Sequence, residues 1–269
     1  MKVKEAYYSL RKRLCAVTDE ARTEASLIFA HYAGIAPSEA IISETELDES
    51  ALEAIERAAE RRLLHEPLQY ILGSWGFMGL EFIVAPCALI PRQDTETLCE
   101  EALRLISERG CKTLLDICTG TGCIAISLAK LGGVKAEASD ISPECVSLAR
   151  KNSLKNGVEI FLRIADLFEG AGRYDIVTAN PPYISDKDME TLSEEVKREP
   201  ALALRGGADG LDFYRRIAEE ASAHINKGGV LLMEVGAGEA EAVAALFPEN
   251  ETRIADDLGG IGRIVIAEY

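Results

Sequence analysis

Asn180-Pro181-Pro182-Tyr183 is the stretch whose residue types point most directly to chemistry. It follows a short apolar run, Tyr174 to Ala179, that reads as a buried strand. A proline lacks an N–H and has a fixed φ, so two in succession end the strand. The residue before a proline is held extended. Asn180 is therefore presented on a stiff turn at a strand's carboxyl end, the edge where open α/β sheets bind ligands. The Asn180 side-chain oxygen and the Pro181 carbonyl are two acceptors. Tyr183 adds a flat face and a hydroxyl. Such a set suits a planar NH2 group. Taken alone, Asn-Pro-Pro is also a plain turn former, and the remainder of the chain has to decide between the two.

A second stretch runs Asp116-Ile117-Cys118-Thr119-Gly120-Thr121-Gly122-Cys123, closing one strand and opening a helix. Glycines there let the backbone turn tightly and approach a ligand. Asp140 ends the next strand, where a carboxylate can accept from both ribose hydroxyls. The pair fits an adenosine-type cofactor without saying which one, because Gly120-x-Gly122-x-x-Ala125 also matches the dinucleotide fingerprint. S-adenosylmethionine is favoured over NAD on three counts. A terminal strand pair implies a methyltransferase sheet. Asp166-Leu167-Phe168 offers an acid and an apolar pair for an adenine edge and face. Asn180 to Tyr183 stand beside the expected sulfonium, whereas His31, His65 and His224 occupy none of the strand ends.

Elements that can position these groups are legible along the chain. Residues 1 to 73 read as helical, with Tyr7, Leu10, Leu14 and Val17 at helical spacing. Ala21, Ala25, Ile28 and Tyr32 come next, with Thr18 as cap and Gly34 as stop. Pro37 suits the first turn of a third helix. Leu52, Ile55, Ala59 and Leu63 mark a fourth, with Glu53 and Arg57 set for an i,i+4 pair. Residues 74 to 94 read as a β-hairpin linker, and Asp94 or Thr95 as the N-cap of the next helix. Arg92 and Glu96 are within reach of a ligand. From residue 95 to 269 strands and helices alternate, with strands expected at 113–117, 134–139, 158–164, 174–179 and 230–235. That pattern argues for an α/β fold with a parallel sheet, closed at one edge by an antiparallel pair, Thr252–Ala255 and Gly262–Ala267.

Composition narrows the partners. Of 269 residues, 48% are apolar and 28% charged, the balance of a globular protein. No apolar run approaches the ~20 residues of a membrane span, and the first residues show no secretory leader. Seven cysteines without a C-x-x-C pair read as cytoplasmic thiols. The three histidines lack metal-ligand spacing, so no metal is expected. A net charge of −16 disfavours phosphate backbones as partners. Arg11-Lys12-Arg13 and Arg61-Arg62 read as solvated helix faces.

With these residues assembled, the sequence resembles the release-factor glutamine methyltransferases, the PrmC/HemK family. The resemblance covers nearly the whole chain. It includes Pro67 to Gly73, Pro91 to Glu96, both cofactor stretches, Asn180 to Tyr183, Glu199-Pro200 and Leu204 to Leu211. It implies a Rossmann-like methyltransferase sheet behind a small N-terminal helical domain that docks the substrate protein. Cys118, Thr119, Gly120, Thr121 and Gly122 are then expected at the methionine end of S-adenosylmethionine, Asp140 at its ribose and Leu167 at its adenine, with Asn180 also beside it. Asn180, Pro181, Pro182 and Tyr183 are expected to grip the glutamine of a Gly-Gly-Gln loop in peptide chain release factors. Asn180, Pro181 and Tyr183 serve the transfer itself. Cys118 stands where the family usually has glycine, Leu167 where it has tryptophan, Gln93 where it has proline and Glu239 where it has glutamine. A glutamine methyltransferase of ribosomal protein, an adenine methyltransferase of nucleic acid, a non-catalytic binder and an NAD dehydrogenase stay open as rivals.

Overall fold

The computed structural model describes residues 1–269, and its contacts divide the chain into two units. One unit comprises Met1–Gly73 with Ser193–Arg198. Its helices are α1 (Val3–Leu14), α2 (Ala21–Ala33), α3 (Pro37–Ile42), α4 (Glu49–Leu63) and α5 (Leu68–Leu72). Val3, Tyr7, Leu10 and Leu14 lie one or two turns apart and are buried together with Ala25, Ile28, Phe29 and Ile55. Asp48 caps α4, accepting from Ser50 N at 3.0 Å and Ala51 N at 3.2 Å. Thr18 caps no helix. Its Oγ1 accepts from Glu20 N, and α2 starts at Ala21. Val17 lies beyond the end of α1.

Arg62 corrects the expectation of a solvated basic face. It is 1% exposed, because it continues the buried face of Ile55, Ala58 and Ala59 along α4. Its guanidinium donates to both Glu24 oxygens, at 2.8 and 3.0 Å, and to Glu195 at 2.7 Å. A buried cation needs such partners, since desolvating it alone costs several kcal/mol or more. The Glu195 bond, with Arg198 donating to the Leu64 carbonyl, explains why Ser193–Arg198 groups with the helices.

The other unit comprises Ser74–Leu192 and Glu199–Tyr269. It begins with a hairpin, β1 (Ser74–Phe77) and β2 (Leu80–Ile83), turned at Met78-Gly79. Next along the chain are α6 (Gln93–Arg109), β3 (Thr113–Ile117), α7 (Cys123–Gly132), β4 (Lys135–Asp140), α8 (Pro143–Asn156), β5 (Phe161–Ile164) and β6 (Tyr174–Ala179). A short pair, β7 (Ile184–Ser185) and β8 (Arg205–Gly207), precedes α9 (Asp212–His224), β9 (Ile225–Glu234), α10 (Ala240–Ala244), β10 (Glu251–Asp256) and β11 (Gly262–Glu268).

Seven strands form one sheet in the order β10-β11-β9-β6-β3-β4-β5. The pairs from β9 to β5 are parallel, while β11 runs antiparallel to both neighbours. Both faces of the sheet are covered, so its central strands are buried on both sides instead of alternating with exposed residues. Leu114, Ile176, Val230, Leu232 and Ile264 face α6 and α7. Leu115, Val177, Leu231, Met233 and Val265 face α9 and α10. Phe77 and Phe82 of the hairpin join the first of these cores, which ties the hairpin to the sheet unit.

The expected helix caps at Asp94 and Thr95 are corrected. α6 starts at Gln93 behind Arg92, and neither side chain caps it. Asp94 accepts from Arg263 at 3.2 Å, and Thr95 is turned inward, 2% exposed. Tertiary partners have claimed both groups. The strand expected at 158–164 is shorter, Phe161–Ile164, and that expected at 230–235 is longer, Ile225–Glu234.

Candidate active site

β3 sits at the point where the strand order reverses, so its carboxyl end faces a crevice shared with β6 and β4. Strand register brings the carboxyl ends into line. Ile117 pairs with Ser139 on one side and Ala179 on the other, Asp140 with Ile164, and Ala179 with Met233. Cys118, Asp140, Ala165, Asn180 and Glu234 therefore leave the sheet in a row. A cleft of about 1050 Å³, counting its open mouth, lies along that row.

Of the residues expected at the cofactor, Cys118, Thr119, Gly120, Thr121, Asp140, Leu167 and Asn180 line the cleft. Gly122 does not. It opens α7 with φ of 80°, and a Cβ there would stand 2.9 Å from the Ala149 Cβ, so this glycine serves helix packing. Pro182 lines the cleft, but Pro181 and Tyr183 lie outside the lining. The Tyr183 ring lies under the Arg263 guanidinium, 5.8 Å from centroid to Cζ.

Buried hydrogen bonds hold the first loop. Asp116 is fully buried and accepts from Thr119 Oγ1 at 2.5 Å and Thr178 Oγ1 at 2.7 Å. Burial pushes its carboxyl up to about 7 against the pull of those two hydroxyls. Asp140 accepts from Gly120 N at 2.8 Å and Ser142 N at 2.9 Å, which pins the loop to the end of β4. Desolvation raises the Asp140 carboxyl. Asn152, fully buried, donates to the Thr121 carbonyl at 2.9 Å and exchanges two bonds with Ile83, so the hairpin helps hold the loop.

Cys118 and Leu167, two of the four departures from the family pattern, both adopt the left-handed backbone region, with φ of 57° and 47°. A side chain there costs roughly 1–2 kcal/mol, which glycine avoids. Asp166 lines the cleft and pairs with Arg216 at 2.8 Å. Phe168 corrects the expectation of an apolar pair facing adenine. It is 1% exposed and stacked on His224, at 4.8 Å, away from the cleft.

Behind the Asn180 loop lies the glycine-rich stretch 206–210. A Cβ on Gly206 would stand 2.7 Å from the Tyr183 Cα and 2.8 Å from the Pro182 carbonyl oxygen. The loop therefore rests directly on another backbone. Asn180 Nδ2 donates to Thr95 Oγ1 at 3.3 Å. Glu234 is 1% exposed; burial raises its carboxyl, and the neighbouring Thr95 and Asn180 side chains pull it back down.

Several lining residues escaped the sequence reading. Residues 87–90, Leu202, Ala203, Phe213 and Arg216 also line the cleft, as do Pro91 and Arg92 of the Pro91 to Glu96 stretch. Arg92 is paired with buried Glu199, which also accepts from Ile90 N at 3.0 Å. That carboxylate fastens residues 90–92 beside the segment after Pro200. Glu96 instead accepts from Met78 N at 2.5 Å and holds the hairpin turn.

The chain is similar to known proteins. A family described as the PrmC N-terminal domain matches residues 5–73, and the methyltransferase small domain matches residues 99–208. The Release factor glutamine methyltransferase of Geobacter sulfurreducens is 43% identical over 226 residues, 81% of this chain and 79% of its own. The chain belongs to the release factor glutamine methyltransferase family. The Clostridium acetobutylicum member is 36% identical, over 99% of this chain and 98% of its own. Among solved structures, a methyltransferase from Pyrococcus furiosus aligns with a TM-score of 0.53 at 20% identity, over 71% of this chain and 89% of that one. A T. thermophilus 16S rRNA methyltransferase solved with AdoMet and guanosine aligns at 0.51 and 16%, over 72% of this chain and 49% of that one. These two share the methyltransferase fold of the sheet unit. No helix is long and apolar enough to cross a membrane.

Proposed function

We propose that this chain transfers a methyl group from S-adenosylmethionine to the side-chain nitrogen of the glutamine in the Gly-Gly-Gln loop of peptide chain release factors. The observation that carries the reading is Asn180. It lines the cleft with its NH2 group engaged by Thr95, which leaves its oxygen as an acceptor beside the cofactor loop. Family membership names the substrate class.

The lining fits S-adenosylmethionine. Each Asp140 oxygen accepts one backbone N–H and keeps a lone pair for a ribose hydroxyl. Leu167 and Phe213 supply apolar wall for an adenine, with Asp166 at its edge. Cys118 to Thr121 border the space left for the methionine end. When bound, this cofactor supplies an electrophilic methyl group.

A glutamine amide nitrogen is a poor nucleophile, because its lone pair is delocalised into the carbonyl. The chain's task is therefore positioning, an effect that can supply on the order of 7–11 kcal/mol. The Asn180 oxygen and the Pro181 carbonyl accept the two amide hydrogens, which aims the lone pair and stabilises positive charge growing on nitrogen. Tyr183, outside the lining, stiffens the turn and borders the substrate's approach. The helical unit contributes no residue to the cleft, and docking of the release factor is the role proposed for it. The cytoplasm, where release factors work, is the proposed location.

The test is methyl transfer from labelled S-adenosylmethionine to purified release factor and to a variant with alanine for the Gly-Gly-Gln glutamine. Label on the first alone supports the reading, and label on both or neither refutes it. Asn180→Ala should lower turnover by roughly 10²–10³ with cofactor affinity kept. Near-normal turnover would remove Asn180 from the mechanism.

A further inference from the structure

An asparagine side chain is nearly symmetric in shape, and only its partners decide which end carries the oxygen. The mechanism above needs the oxygen outward. With the ends exchanged, an NH2 group would confront the NH2 of the substrate amide, donor against donor. Something has to hold the orientation.

The sheet supplies a candidate. β6 and β9 run parallel with Ala179 opposite Met233, so Asn180 and Glu234 leave the sheet side by side. Glu234 is 1% exposed, and its Oε2 has no hydrogen-bond partner. The Asn180 and Thr95 side chains favour the charged form of this carboxyl against burial, and Asn180 Nδ2 donates to Thr95 Oγ1 at 3.3 Å. A carboxylate only accepts, so the end of Asn180 that meets it must be the NH2 end. Arg263, which pairs with Asp94, lends positive charge nearby.

We propose that Glu234 is a positioning residue that, directly and through Thr95, locks Asn180 with its oxygen toward the cleft. The proposal rests on the reading that Asn180 accepts the substrate amide. Glu234 does not line the cleft. It sets which face of Asn180 the substrate and cofactor meet. This role gives a reason to keep a buried carboxylate at the end of a central strand, a position otherwise costly for charge.

The test uses Glu234→Gln, which keeps shape, and Thr95→Val, alone and combined with Asn180→Ala. Methyl-transfer kcat should fall about tenfold or more in Glu234→Gln and in Thr95→Val, with S-adenosylmethionine affinity within about twofold of wild type. Added to Asn180→Ala, Glu234→Gln should cost little more, because residues acting as a unit are not additive. Where Asn180→Ala is impaired, losses that add in full, or an unchanged kcat in Glu234→Gln, would overturn the proposal. A second readout is independent of turnover. The Asn180 side-chain amide protons, followed by NMR in the protein without substrate, should exchange faster in Glu234→Gln. Unchanged exchange overturns the proposal. Faster exchange with full turnover in Asn180→Ala upholds the lock and refutes the catalytic reading instead.

Discussion

Gly206→Ala tests whether the glycine-rich stretch holds the Asn180 loop in place. The added methyl would stand 2.7 Å from both the Gly210 carbonyl oxygen and the Tyr183 Cα, and 2.8 Å from the Pro182 oxygen. Ordinary contact begins near 3.4 Å, so these backbones must part by about 0.6–0.7 Å. None of the three atoms belongs to a side chain that can swing aside. The segments are also clamped together, because Ile184 pairs with Arg205 and Ser185 with Gly207. Overpacking of this kind costs about 1–3 kcal/mol. For a unit of this size, 2 kcal/mol lowers the melting temperature by roughly 4–8 °C. Asn180 lies two residues before Pro182, and a misplacement of about 1 Å can cost on the order of 10²-fold in rate. A shift of about half that predicts a kcat lower by about tenfold, with cofactor affinity nearly kept, since Asp140 and Cys118 to Thr121 lie at the ends of other strands. Methyl transfer at saturating substrate, calorimetric titration of S-adenosylmethionine and a melting curve measure the three quantities. Gly76→Ala is the control, because its Cβ meets nothing within 4 Å. A lower melting temperature with unchanged kcat would mean that the stretch supports the fold without setting the loop. Wild-type values for both would refute the packing argument itself.

Two further predictions concern the cofactor side. Asp140→Asn should weaken S-adenosylmethionine binding by about ten- to a hundredfold, the loss expected when hydrogen bonds to a charged acceptor become neutral ones; unchanged affinity in a titration would take Asp140 out of the site. Asp116 sets a pH dependence of stability. Its folded carboxyl is raised to about 7 from 3.8, so between those values the folded chain keeps a proton that the unfolded chain has released. Stability from this group is present below about pH 4 and is lost as pH rises through 7, by about 4 kcal/mol at most. Asp116→Asn should abolish that slope, and a stability difference from wild type that does not change between pH 4.5 and 8 would refute it.

The row of strand ends was legible because it depends on local signals. An apolar run before Asn-Pro-Pro, a glycine turn after Asp116 and an acid ending the next strand each announce themselves within a few residues. Groups that act across the sheet do not. Thr95 has the composition of a helix cap, and nothing nearby in sequence signals that the end of β9 claims it. Glu199 reads as a loop acid, although it fastens Ile90 and Arg92 more than a hundred positions earlier in the chain. Arg62 is the instructive exception, because helical spacing from Ile55 and Ala59 already placed it on the buried face. Its charge argues for solvent, but Glu24 and Glu195 pair with it and let the helical periodicity decide. For Glu234 the deciding fact is register: only the pairing of Ala179 with Met233 sets its carboxyl beside Asn180. A one-residue slip would turn it to the opposite face of the sheet. The acceptor that the chemistry needs is therefore fixed by strand pairing, a property carried by two whole strands and not by the four-residue motif that advertises it.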